Sequence, residues 1–124
     1  MKTKSKKDII LETAKAYTSQ NRSICPDSRS SCLYKSGANK CAVGRCLLSK
    51  SRLFKSELND TPIDNYNETE LDCELKKEYR GHSIEFWQDV QYLHDQIPFW
   101  DLSGLTERGK EHVDLLIEKW DDKD

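Results

Sequence analysis

Between Ser83 and Pro98 the apolar side chains Phe86, Val90, Leu93 and Ile97 return at intervals of four, three and four residues, and the run stops at a proline. That spacing lays one continuous apolar stripe along a helix. Proline ends it, because it lacks an N–H and crowds the preceding turn. Ser83 stands where an N-cap is wanted, its hydroxyl able to take a backbone N–H that the helix leaves unpaired. A helix with one apolar face has to bury it, so the rest of the chain must supply other apolar surfaces. Near the C-terminus the same period recurs: Thr106 is placed to cap a helix carrying Val113, Leu116, Ile117 and Trp120.

Two more helices are expected upstream. "SKKDIILETAKAYTSQ" has Ser5 and Asp8 at capping-box spacing, with Ile10, Ala14 and Tyr17 on one stripe, while Lys2, Lys4, Lys6 and Lys7 read as a solvated lead-in. Asn67 with Glu70 opens a helix expected to run through Tyr79, supported by Leu71 and Leu75 and by the Asp72 to Lys76 pair. "RCLLSKSRLFKSEL" reads as a short helix, and "FWDLSG" as a tight connector. Strand chemistry is confined to "CLYKSGANKCAV", where Gly37 and Asn39 tolerate positive φ, so a hairpin with Cys32 opposite Cys41 is expected. The fold class is therefore α+β: about four helices packed on a small antiparallel hairpin or sheet. A length of 124 residues suits a single domain over 1–124, with a flexible lysine-rich start at about 1–5 and an acidic end at about 121–124. With no long apolar run and no leader pattern, the expectation is a cytoplasmic protein with no membrane contact.

Five cysteines in a reducing compartment argue against a disulfide framework. Three of them, Cys32, Cys41 and Cys46, fall within fifteen residues. Their default role is burial as small apolar side chains. Zinc is an alternative, held by Cys25, Cys32, Cys41 and Cys46 or by a set that includes His94. The four cysteines are separated by six, eight and four residues, however, and none forms the C-x2-C knuckle that presents two thiolates from one turn. The leading expectation is no cofactor.

A thiol enzyme is a further alternative, with Cys41 as nucleophile and His94 as proton shuttle. Asp95 adjoins His94, and neighbouring residues on a helix point about 100° apart, so Asp101 is the expected orienter of the imidazole. Arg45, following Gly44, could hold a phosphate or carboxylate bidentately, or pair with an acid of the second half of the chain.

Charge is unevenly spread. Residues 1–56 hold thirteen Lys or Arg against three acids, whereas residues 57–124 hold seven against nineteen. Either the two halves fold together and their fields cancel, or the molecule is polarised, with an acidic face suited to a basic protein and a basic face suited to nucleic acid.

A Cys-x-Tyr element at Cys32 and Tyr34 is followed by Cys-Ala-Val-Gly-Arg at Cys41 to Arg45. Later come Gln91, His94 and Asp95, then Trp100 and Asp101, then Gly-Leu-Thr at Gly104 to Thr106. In this order they resemble a family of short, uncharacterised proteins of bacteriophages and bacteria. The resemblance covers roughly half the chain and implies a lineage rather than a mechanism. It implies that Cys41 and the His94–Asp95 pair share a site; Tyr34, Arg45, Asp95 and Trp100, which fall within these elements, are the binding candidates. The expected function is that of a small phage accessory protein that binds a host protein through its acidic C-terminal half.

Overall fold

The computed structural model describes residues 3–18, 35–36, 39–54 and 66–120. Helix α1 (Lys6–Ala16) starts where Ser5 Oγ accepts the Asp8 N–H at 3.1 Å. It buries Ile9, Ile10 and Thr13, and the Thr13 hydroxyl donates back to the Ile9 carbonyl at 2.9 Å, so no polar atom is stranded there. The helix ends at Ala16, and Tyr17 turns into extended backbone (φ −127°, ψ 155°), which carries its buried ring away from the helix stripe.

The lysine-rich start differs from the expected solvated lead-in. The Lys4 N–H donates to the Glu78 carbonyl at 2.7 Å, and its ammonium pairs with Glu12. Lys6 is buried, with Nζ 5.7 Å from the centre of the Phe86 ring and 6.0 Å from that of Trp120. A lysine stem covers apolar surface well, and aromatic faces attract its charge, so a basic run need not be solvated. Lys7 alone of the described lysines in this run is fully exposed.

Strands β1 (Lys35–Ser36) and β2 (Asn39–Lys40) form an antiparallel hairpin, pairing Lys35 with Lys40 and Ser36 with Asn39. That register is two residues away from one that would oppose positions 32 and 41; Cys32 itself lies outside the described residues. The chain then tightens into a 3-10 turn at Gly44–Cys46 and, after a short irregular stretch, another at Arg52–Phe54. These stand where a helix was expected. Helix α2 (Glu68–Asp72) opens on the full capping box of Asn67 and Glu70 but stops after five residues, short of Tyr79. Backbone pairing explains both departures: Leu48 N–H donates to Glu74 O at 2.8 Å, and Lys76 N–H to Cys46 O at 2.9 Å, around a Leu47–Leu75 bridge. A tertiary ladder has outcompeted local helix propensity on both sides.

Helix α3 (Ile84–Asp95) is capped by Ser83 and buries Phe86, Trp87, Val90, Leu93 and His94. The Trp100 indole N–H donates to the Leu93 carbonyl at 3.0 Å, covering one of the acceptors that the helix end leaves open. The segment 99–104, expected as a connector, instead enters a second antiparallel hairpin of β3 (Trp100–Asp101) and β4 (Gly104–Leu105). Asp101 makes the turn by accepting the Ser103 N–H and hydroxyl at 2.9 and 2.8 Å. Thr106 accepts the Gly109 N–H at 3.2 Å and so caps α4 (Glu107–Trp120). Gly109 is required there: a Cβ would stand 2.4 Å from the Phe99 carbonyl.

The described fold is thus α+β: four helices with two small antiparallel hairpins. Helix α1 packs on α4, and also on α3 and β4. The core between them is built on Ile9, Ile10, Phe86, Trp87 and Leu93, all fully buried. No described helix is long and apolar enough to cross a membrane.

Candidate functional site

The turn that carries Cys41 to Arg45 lies against the inner side of α3. Cys41, Ala42 and Val43 are fully buried, and small side chains let the backbone come close. Gln91 of α3 holds it: its Oε1 accepts the Val43 N–H at 3.2 Å, and its Nε2 donates to Asp95 Oδ1 at 3.3 Å. The same Asp95 oxygen lies 2.7 Å from His94 Nδ1. A carboxylate can only accept, so Nδ1 carries the proton. The expected division of labour is therefore reversed. Asp95, thought to point away, contacts the imidazole, because the carboxylate at the helix end folds back to its neighbour. Asp101, the expected orienter, is exposed and holds the β3–β4 turn, where Ser103 keeps its carboxyl below the usual range.

The structure thus brings together Cys41, Gln91, His94 and Asp95. Tyr17 closes this group from the far side. Its ring meets His94 edge-on at 4.9 Å and Trp100 at 5.9 Å. Trp100 is a buried packing residue whose one polar atom is committed to α3. Tyr34, Cys25 and Cys32 lie outside the described residues.

The chemistry of the thiols follows from burial. Burial pushes the Cys41 thiol up to about 12; the Gly44 N–H, 3.2 Å from Sγ, pulls the other way, and the Asp95 charge pushes it further up. Burial likewise pushes Cys46 up to about 12 against the pull of Arg45, and its S–H donates to the Ala42 carbonyl at 3.5 Å. A nucleophile or a metal ligand has to be a thiolate, and both sites favour the neutral thiol. Among the described residues no group of three or more His, Cys, Asp and Glu side chains is arranged to hold a metal ion.

Arg45 leaves the same turn in another direction. Its Nη1 donates to Glu12 Oε1 at 3.2 Å and to the Tyr79 hydroxyl at 3.4 Å, and the Tyr79 hydroxyl donates to the same Glu12 oxygen at 2.8 Å. The guanidinium carbon lies 5.7 Å from the centre of the Tyr79 ring. Its acid is thus one of the few in the basic half of the chain. Burial alone would raise the Glu12 carboxyl, but hydrogen bonds from Lys4 and Tyr79 and the Arg45 charge hold it below the ordinary value. Glu12, Tyr17 and Tyr79 escaped the sequence reading. Nothing local marks a tyrosine sixty-seven residues from its carboxylate. Gln91 was visible only as a motif letter, three residues before His94 on one helix face.

Elsewhere in the chain, Glu107, Glu111, Asp114 and Glu118 recur at helical spacing along the outer face of α4, all exposed. Leu115 stands among them at 61% exposure, and Tyr92 of α3, 50% exposed, leans on His112 of α4 at 5.4 Å between ring centres. Clamping α3 to α4 beneath this face, Asp89 accepts from Lys119 Nζ at 2.7 Å and from the Trp120 indole at 3.0 Å.

Compared with known proteins, the chain matches no family model, no curated protein and no solved structure.

Proposed function

We propose that this chain is a non-enzymatic accessory protein that binds a basic host protein through the outer face of α4. The observation that carries this reading is the row of four exposed carboxylates, Glu107, Glu111, Asp114 and Glu118, with the exposed Leu115 set among them. Carboxylates at i, i+4, i+7 and i+11 repel one another along a helix, a cost that a cationic partner would relieve. An exposed leucine inside such a row offers the apolar contact that an interface centre uses, with the charges acting as steering and rim. The resemblance to phage and bacterial proteins supports a bacterial host as the source of the partner. Neutral, fully buried thiols give the thiol-enzyme alternative less support.

The test is capture from bacterial lysate at low ionic strength, where an electrostatic contact is strongest. The unaltered protein is expected to retain a basic protein that is lost on raising the salt. A triple variant, Glu111→Lys with Asp114→Lys and Glu118→Lys, should bind it about tenfold more weakly or worse. Retention of nothing at low salt, or equal retention by the triple variant, would sink the reading.

A further inference from the structure

The start of α4 rests on the 3-10 turn Ile97–Phe99. The Phe99 carbonyl accepts the Thr106 N–H at 2.8 Å, and the Thr106 hydroxyl donates to the Pro98 carbonyl at 2.6 Å. Gly109 comes so close to the same Phe99 carbonyl that a Cβ there has no room. Three residues further on, His112 stacks on the Phe99 ring, with 4.8 Å between ring centres and 25° between planes. Tyr92 of α3 meets that imidazole at 5.4 Å and Phe99 at 6.3 Å, so three rings from three elements close one seam.

His112 Nε2 is buried in this seam and has no hydrogen-bond partner among the described residues. A neutral imidazole tolerates that, because its single proton can sit on Nδ1 and leave Nε2 a bare acceptor. An imidazolium carries an N–H on both nitrogens, and the one on Nε2 would be a buried charged donor without an acceptor. Two attractions work the other way: aromatic faces favour a cation, and the Asp89 charge on α3 favours the protonated ring. Asp89, however, is engaged by the Lys119 ammonium and the Trp120 indole, and burial outweighs it, holding the imidazole below its ordinary value of 6.5. On α4 itself, Arg108 stands one turn before His112 and Glu111 next to it, both exposed, where water and salt screen their opposite charges. The Ile97–Phe99 turn brings no titratable side chain, and α3 adds only the Tyr92 phenol to Asp89.

We propose that His112 is a pH-sensitive latch: as a neutral ring it holds α4 to Phe99 and Tyr92, and once protonated it leaves the stack and frees this seam. The fold prefers the neutral ring, so the stability it gives is complete above pH 6.5 and is lost as pH falls through that value to the lowered folded one. Mild acid is therefore the releasing condition, above the range in which Glu12 titrates. Glu111 and the exposed Leu115 flank His112 on α4, so release alters the outer face of that helix, yet the latch does not depend on that face having a partner.

The test uses the full chain. NMR titration of the His112 ring, assigned through bonds from its backbone, should give a midpoint below 6.5. Between about pH 7.5 and about pH 5.5, amide exchange corrected for its intrinsic pH dependence should show a severalfold loss of protection at the Thr106 N–H that bonds the Phe99 carbonyl. His112→Phe keeps an aromatic ring in the stack without a titratable nitrogen, and should hold that protection across the same range. A midpoint at or above 6.5 overturns the proposal, as does unchanged protection at Thr106 in the unaltered protein. An equal loss in His112→Phe also overturns it, because the acid sensitivity would then lie elsewhere.

Discussion

Glu12 on α1 and Glu111 on α4 are both helix carboxylates in a heavily charged chain, and they live differently. Glu12 is three-quarters covered and receives an ammonium, a phenol and a guanidinium. Glu111 faces water in a row of its own kind. The contrast comes from what the fold brings to each side chain, since both occupy mid-helix positions with no local cation at i+4: Glu12 is followed there by Ala16, Glu111 by Leu115. Charge near Arg45 is therefore paired within the fold, whereas the carboxylates on the outer face of α4 are exposed.

Experiments that separate the two regions should show their largest effect in thiol reactivity. Near pH 8, alkylation of Cys41 and Cys46, beside the Arg45 knot, should run about a hundredfold or more slower than that of the exposed Cys73, because a thiol pushed up to about 12 is almost never a thiolate. Mass spectrometry of timed labelling checks it, and fast labelling of Cys41 in the folded protein would restore the enzyme reading. Next in size, Glu12→Ala strips three donors of their shared acceptor and should cost about 2 kcal/mol in urea unfolding, less than a fully buried pair because both partners are partly exposed.

The pH dependence follows from the same residue. The folded-state pKa of Glu12 lies below its ordinary value of 4.5, so its contribution is present above that pH and is lost as pH falls through the lowered value. Glu12→Gln should therefore be less stable than the unaltered protein at neutral pH, and the gap should close on acidification below 4.5; a gap that stays constant to pH 2 would detach Glu12 from the network. Smallest of all, Glu111→Gln and Asp114→Asn on the outer face should shift stability by no more than about 0.5 kcal/mol while weakening partner capture. A larger stability loss would make that face structural after all.

Helix starts were legible in the sequence because caps are local: Ser5, Asn67 with Glu70, Ser83 and Thr106 each meet an N–H three residues on. Helix α3 was legible for the same reason, its period visible in a dozen residues. The end of α2 was not, since it depends on a ladder between residues 46–48 and 74–76. Nor was the second hairpin, whose Leu102-Ser103 tip has no glycine or asparagine and is turned by the Asp101 carboxylate instead.

At the candidate site, the resemblance implied that Cys41 shares a site with His94 and Asp95, but the residues that lie between them were hidden in the sequence. Gln91 bridges turn and helix, Tyr17 closes the group, and Asp95 rather than Asp101 contacts the imidazole.

Sequence alone determined the α+β class, the helix caps and the split between a basic and an acidic half, because each is written in spacing or composition. Tertiary structure alone decided that Lys6 is buried, that Cys41 and Cys46 are neutral thiols, and that Arg45 meets Glu12. Burial and long-range hydrogen bonding set the protonation and pairing of a side chain, and both are properties of neighbours that the chain order does not name.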